Sequence, residues 1–165
     1  MGDMKNHIIV CSMFILLGGC VSVSLPGKKV VSAKDVAFEA PSSPFKEIKM
    51  SNVDKAWLSD KTANTISYFS ECGNTADPSL ETLESDAVSA INDLKVIKSE
   101  DLQFNGREAR QTIVTGKLDG VPVKMSFVLL KKNGCNYTLS YGGTAAQFSQ
   151  EESAFENFKR NFRAP

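Results

Sequence analysis

Hydrophobic positions along this chain repeat with two different periods, and the change of period predicts its elements. Leu80, Leu83, Ala87, Ala90, Ile91 and Leu94 recur every three or four residues, which predicts an amphipathic helix over about 78–94. Asp77 stands where an N-cap belongs and Pro78 where the first helical residue belongs. Glu81 and Glu84 lie near the positive end of the helix dipole. A second stripe, Ala154, Phe155, Phe158 and Phe162, predicts a terminal helix over about 149–163. Ser149 and Glu152 have the spacing of a capping box for it, and Lys159, Arg160 and Arg163 lie near its negative end. Between and before these segments the period falls to two. Residues 65–72 are rich in β-formers and place Ile66, Tyr68, Ser70 and Cys72 on one face.

From Lys95 to Tyr141 the pattern predicts a meander of four strands. The turns are Asn105-Gly106, Asp119-Gly120 and Asn133-Gly134, pairs suited to the left-handed backbone of a tight hairpin. Val123, Met125, Phe127 and Leu129 share one face of one strand. Cys135, Tyr137, Leu139 and Tyr141 share one face of the next. A short strand is expected over 36–40, which Pro41 and Pro44 stop, and a second short strand or a turn over 45–50; residues 54–59, which carry Trp57, come next. Gly142-Gly143 is expected to release the chain from the last strand. The fold class that results is α+β: an antiparallel meander packed against an internal and a C-terminal helix.

The first twenty residues break this pattern. Residues 8–17 form an apolar run about half as long as a membrane span, behind Lys5 and ahead of small residues. It reads as a secretory signal; Asp3 fits poorly there, and starting at Met4 rather than Met1 gives a cleaner one. The run closes on Leu17-Gly18-Gly19-Cys20, which resembles the lipobox of bacterial lipoproteins. That resemblance implies cleavage before Cys20 and lipid attachment to it. Several acyl chains make a stable anchor at about 0.8 kcal/mol per buried methylene. Val21, where an Asp would favour inner-membrane retention, points to the outer membrane. The expected organisation is a signal peptide over 1–19, a tether over 20–35 containing Pro26, Gly27, Lys28 and Lys29, and one domain over 36–165.

Composition narrows the possible chemistry. Lys plus Arg and Asp plus Glu each number 19, so no basic excess is available for nucleic acid. The single histidine, His7, falls in the leader. The mature chain therefore lacks the base of a Ser-His-Asp or Cys-His site and the commonest zinc ligand. No cofactor and no metal are expected. Cys11 leaves with the leader and Cys20 takes lipid, so Cys72 and Cys135 remain as an even pair in an oxidising compartment. They are expected to form a disulfide around a loop of about 63 residues, contributing roughly 4 kcal/mol by chain entropy. A redox or metal-binding thiol pair is the alternative, but it lacks Cys-x-x-Cys spacing or a basic neighbourhood.

Asp77, Glu81, Glu84 and Asp86 are candidate cation ligands or, on their spacing, a solvated helix start. Ser67, Ser70 and Ser140 lack a nucleophile-elbow setting, and Gly142-Gly143 is too short for a phosphate loop. Trp57 is either a contact anchor or a core residue, and the Phe stripe either a partner face or core.

The order of elements resembles the PsbP-like family, which includes lipoproteins of the DcrB type. The resemblance is carried by Ile66-Ser67-Tyr68, the 105–109 turn and strand entry, residues 136–141 and residues 155–162. It implies an accessory or binding module with no shared catalytic residue. The expected function is a non-enzymatic envelope lipoprotein. Its lipid on Cys20 holds it to the membrane and its domain binds or scaffolds another envelope component. The alternative is a carrier of a small apolar ligand held between sheet and helices.

Overall fold

The computed structural model describes residues 31–73 and 77–165. The leader, the lipobox with Cys20, and Lys28 and Lys29 lie outside the described residues. Seven strands form one antiparallel sheet in the order β1-β2-β3-β7-β6-β5-β4. The strands are β1 (Phe45–Ile48), β2 (Lys55–Ser59), β3 (Thr65–Cys72), β4 (Asn92–Phe104), β5 (Arg107–Leu118), β6 (Val121–Lys132) and β7 (Cys135–Thr144). Helix α1 (Leu80–Val88) packs on β5 and β6, and helix α2 (Glu152–Asn161) packs on β7. Residues 31 and 37, at the start of the described chain, contribute only isolated bridges, Val31 to Cys72 and Ala37 to Arg163.

The three hairpin turns form as the sequence predicts. Asn105, Asp119 and Asn133 have φ of 52°, 48° and 51°, and the glycine after each is also left-handed. The four meander strands pair in sequence order, and β7 returns beside β3, placing Cys72 opposite Cys135 and Tyr68 opposite Leu139.

Pairing across strands overrides the helical period at one place. The internal helix ends at Val88 instead of about residue 94, because residues 92–104 pair with β5 along most of their length. Asp93, at φ 52°, leaves the helical region and begins the strand. The N-cap also shifts. Ser79, rather than Asp77, accepts the Thr82 amide at 3.2 Å, while Asp77 sits outside the helix and pairs with Lys131.

Two further expectations change. Gly142 and Gly143 lie inside β7. A Cβ on Gly142 would stand 2.9 Å from the Met125 side chain, and one on Gly143 would overlap the Asn64 amide oxygen, so both glycines admit close neighbours without ending the strand. Ser149 falls in a short 3-10 turn, Phe148–Gln150, and α2 begins without a side-chain cap. Glu151, at the N-cap position, turns its carboxylate inward to another task.

Candidate functional site

The sheet has two unlike faces, and each candidate residue belongs to one of them or to an edge. On the α2 face, Phe155, Phe158 and Phe162 descend from the helix onto Tyr68, Tyr137, Leu139 and Tyr141. Trp57 is 2% exposed and meets Phe158 at 5.4 Å and Phe38 at 5.5 Å between ring centroids. It is a core residue. Phe162 meets Tyr68 at 5.3 Å, and Tyr141 meets Phe155 at 5.6 Å. Spacings of this kind are ordinary aromatic packing, so the rings fill the space between sheet and helix.

A buried polar cluster ties the start of α2 to the β2–β3 turn. Ser59 donates to a Glu151 carboxylate oxygen at 2.8 Å, Thr62 donates to the other oxygen, and the Asn64 amide lies 3.4 Å from it. The Asn64 amide also donates to the Tyr141 hydroxyl and to the Gln147 carbonyl, each at 3.0 Å. Tyr141 in turn donates to the Phe148 carbonyl at 2.5 Å. Burial, reinforced by the negative charges of Glu151 and Glu152, pushes the Tyr141 phenol up to about 12. Burial also pushes Tyr68 up to about 12, with Asp54 and Glu47 adding to it. These groups are buried and hold one another, so the arrangement is a structural tie.

On the α1 face the acidic residues of the helix meet a cation of the sheet. Arg110 pairs with Asp101 at 2.8 Å, with Glu81 at 2.8 Å and with Glu84 at 3.3 Å. Burial alone would raise the Glu84 carboxyl, but hydrogen bonds from Thr112, Ser99 and Arg110 outweigh it and hold the carboxyl below its usual range. The Arg110 hydrogen bond lowers Asp101 in the same way. The acidic cluster is thus the counter-charge of Arg110, and Asp77 takes Lys131 at 2.6 Å. Among the described residues no group of three His, Cys, Asp or Glu is placed to hold a metal ion.

The serines have equally structural roles. Ser67 and Ser140 share a hydrogen bond across β3 and β7 at 2.7 Å, and Ser70 donates to Asp54 and accepts the Ala33 amide at 2.8 Å. Cys72 and Cys135 are joined by a disulfide. The Cys72 amide donates to Val31, so the two cysteines form a non-hydrogen-bonded pair with Cα atoms 4.1 Å apart, the closer of the two spacings in an antiparallel ladder.

A different place has the form of a binding site, a groove of about 320 Å³ between the C-terminal half of β4 and α2. Leu102, Phe104 and Val128 floor it, and Lys159, Arg160 and Arg163 stand along its helical rim. Its walls are fixed. Asn105 in the β4–β5 turn donates to the Phe162 carbonyl at 3.2 Å and accepts the Ala164 amide at 3.0 Å. Lys159 is held by Glu156 at 2.7 Å and Gln111 at 3.1 Å. Arg160 and Arg163 bond only to Asn157 and to main-chain carbonyls, and no carboxylate among the described residues pairs with either. Along the sequence these cations lie near the negative end of the helix dipole; only the position of β4 at the sheet edge reveals a groove beneath them.

No protein-family model and no curated protein matches the chain. Solved structures do match. The solution structure of cyanobacterial PsbP (CyanoP) from Synechocystis sp. PCC 6803 is similar with a TM-score of 0.58 and 14% identity, over 90% of this chain and 99% of that one. The crystal structure of LpqN, involved in cell envelope biogenesis of Mycobacterium tuberculosis, is similar with a TM-score of 0.58 and 10% identity, over 83% of this chain and 86% of that one. The expected PsbP-like fold is therefore the observed one. At such identities the likeness concerns the fold alone.

Proposed function

We infer that this chain is a lipid-anchored bacterial envelope protein whose domain binds or scaffolds another envelope component without catalysing a reaction. The anchor rests on Leu17-Gly18-Gly19-Cys20 behind the apolar run, with Val21 favouring the outer membrane. Among the described residues no helix is long and apolar enough to cross a membrane, so in this reading lipid on Cys20 supplies the attachment. The involvement of LpqN in cell envelope biogenesis fits the same compartment.

One observation carries the choice of a binding module over a carrier. The interval between sheet and α2, where a carrier would enclose an apolar ligand, is filled by Trp57, Tyr68, Tyr137, Phe155, Phe158 and Phe162. An enclosed site needs several hundred Å³ of unfilled volume. Recognition is thereby left to the surface, where the groove beside β4 and the sheet edge are open.

In-cell crosslinking of the full-length lipidated protein, followed by purification and mass spectrometry, tests the reading. A stoichiometric envelope protein captured from wild-type cells and absent from a Cys20→Ser strain supports it. Recovery of the chain alone, in cells where a known envelope complex crosslinks efficiently, removes it. Native mass spectrometry showing a retained small molecule would instead establish the carrier.

A further inference from the structure

The sheet ends differently at its two edges. β1 is four residues long and carries Lys46 and Glu47, the short charged form that discourages strand addition. β4 is thirteen residues long, and among the described residues β5 is its only sheet neighbour. Its first half is guarded: the ladder with β5 shifts register between Asn92 and Lys95 and again between Val96 and Lys98. Its second half is not. From Lys98 to Phe104 the pairing with β5 runs without interruption, opposite residues 113 to 107, and proline is absent from this stretch. Among the described residues the regular stretch therefore presents an open row of main-chain donors and acceptors, and its end, Leu102 to Phe104, lines the groove under Arg160 and Arg163.

We propose that an extended, acidic segment of a partner protein adds to the open edge of β4 at Lys98–Phe104 and places its carboxylates beneath Arg160 and Arg163. The proposal rests on the binding-module reading above and names the surface and partner chemistry for it. Side chains of an added strand alternate between the faces of the sheet. Those on the groove side lie beside Glu100, which Lys98 holds at 2.6 Å, and beside Leu102 and Phe104, about 5 Å from their cross-strand neighbours; the carboxylates belong opposite Leu102 and Phe104, at the arginine end. Those on the other side meet Ser99, Asp101 and Gln103, where Asp101 is already bound to Arg110, so neutral residues suit that face. The preferred segment alternates acidic and neutral residues. The main-chain edge supplies affinity and the arginines supply register, the usual division in strand addition. An acyl chain in the same groove would cover the apolar floor but leave the edge amides and carbonyls without partners, which is why a peptide is the better occupant.

The test uses the full chain in mild detergent and two sets of heptapeptides, one alternating Glu with Val or Thr and one with Lys in place of Glu. Hydrogen exchange is followed by mass spectrometry. The Glu set is expected to slow exchange over residues 98–104 and the Lys set to leave it unchanged. Arg160→Gln with Arg163→Gln is expected to weaken binding about tenfold, Arg-to-Lys changes to retain most of it, and Arg107→Gln to have no effect. Both arginines are exposed, so an unchanged melting temperature verifies the fold of the variants.

Equal binding of both peptide sets, absence of protection over 98–104, or indifference to the double variant overturns the proposal. So does protection by anionic phosphatidylglycerol vesicles where neither peptide protects, which would assign the groove to an amphiphile. If the double variant still captures the crosslinked envelope partner, this surface is wrong and the module reading stands. If wild-type protein captures no partner, the module reading falls, and the peptide result still decides whether the edge accepts a strand.

Discussion

The two faces of the sheet are stabilised by different physics. Among the described residues, the α2 face gathers fifteen buried residues into one cluster dominated by aromatic rings, whereas the cluster under α1 has three: Ile91, Val114 and Phe127. No residue of α1 is fully buried; Ala87 and Val88 pack half-buried against that small cluster, and Glu81 and Glu84 reach to Arg110. Beyond it, Val96 and Ile97 on β4 are 56% and 59% exposed. Close-packed rings tolerate little change, while exposed ion pairs contribute modestly and weaken with salt. The difference separates the parts that keep the domain folded from the parts at liberty to meet something else, and the open groove and edge lie at the margin of the aromatic face.

This contrast can be broken from the core outward. Phe158→Ala removes a ring that touches Phe38, Trp57, Tyr68 and Phe162, and is expected to cost about 5 kcal/mol in denaturant unfolding. Phe127→Ala on the other face should cost no more than about half of that, since its surroundings are thinner and can collapse. Equal costs would show the two faces to be one cooperative core.

Cys72→Ser with Cys135→Ser should cost about 4 kcal/mol, from reopening a loop with a sequence separation of 63. That loop contains α1, β4, β5 and β6, so amide exchange should accelerate there before it does in β2 and β3. Glu151→Ala leaves Ser59 and Thr62 as buried donors without their acceptor, while Asn64 keeps Tyr141 and Gln147, and a loss of about 2–3 kcal/mol is expected in the same unfolding assay. A change below about 0.5 kcal/mol would mean that the cluster contributes little to holding α2.

A smaller effect appears at alkaline pH. Tyr141 and Tyr68 titrate near 12 in the folded chain, above an unfolded phenol near 10. The folded state then binds more protons than the unfolded one between those values. Stability is full below about pH 10 and falls as pH rises towards 12. Tyr141→Phe should flatten that fall in a pH series of melting temperatures; an unchanged slope would remove the buried phenol as its cause. The smallest change belongs to Arg110→Gln on the α1 face. It should lower the melting temperature slightly, and less so at about 1 M salt, where a Debye length of about 3 Å weakens the exposed partners Glu81 and Asp101 more than the largely buried Glu84.

Local chemistry was enough for several parts of this protein. The alternation in residues 121–141 and the three Asn-Gly and Asp-Gly turns specify hairpins, because left-handed backbone and period-two burial are properties of neighbouring residues. The Phe stripe of α2 was legible because it lies on one helical face, and the pairing of Cys72 with Cys135 because they remain as an even pair once the leader and the lipidated cysteine are set aside. Tertiary structure decided what distant residues do to one another. Residues 92–94 continue a helical period yet join β4, since hydrogen bonds to β5 outweigh a weak local preference. The Ser149 and Glu152 capping box does not form; Glu151 takes the N-cap position, and Ser59, Thr62 and Asn64 converge on its carboxylate. Glu81 and Glu84 find Arg110 across more than twenty residues of chain. The groove under Arg160 and Arg163 exists only where the edge of the sheet comes to lie beside the last helix. Periodicity records which side of an element is apolar; the sheet order that places two elements side by side depends on the summed energy of the whole packing.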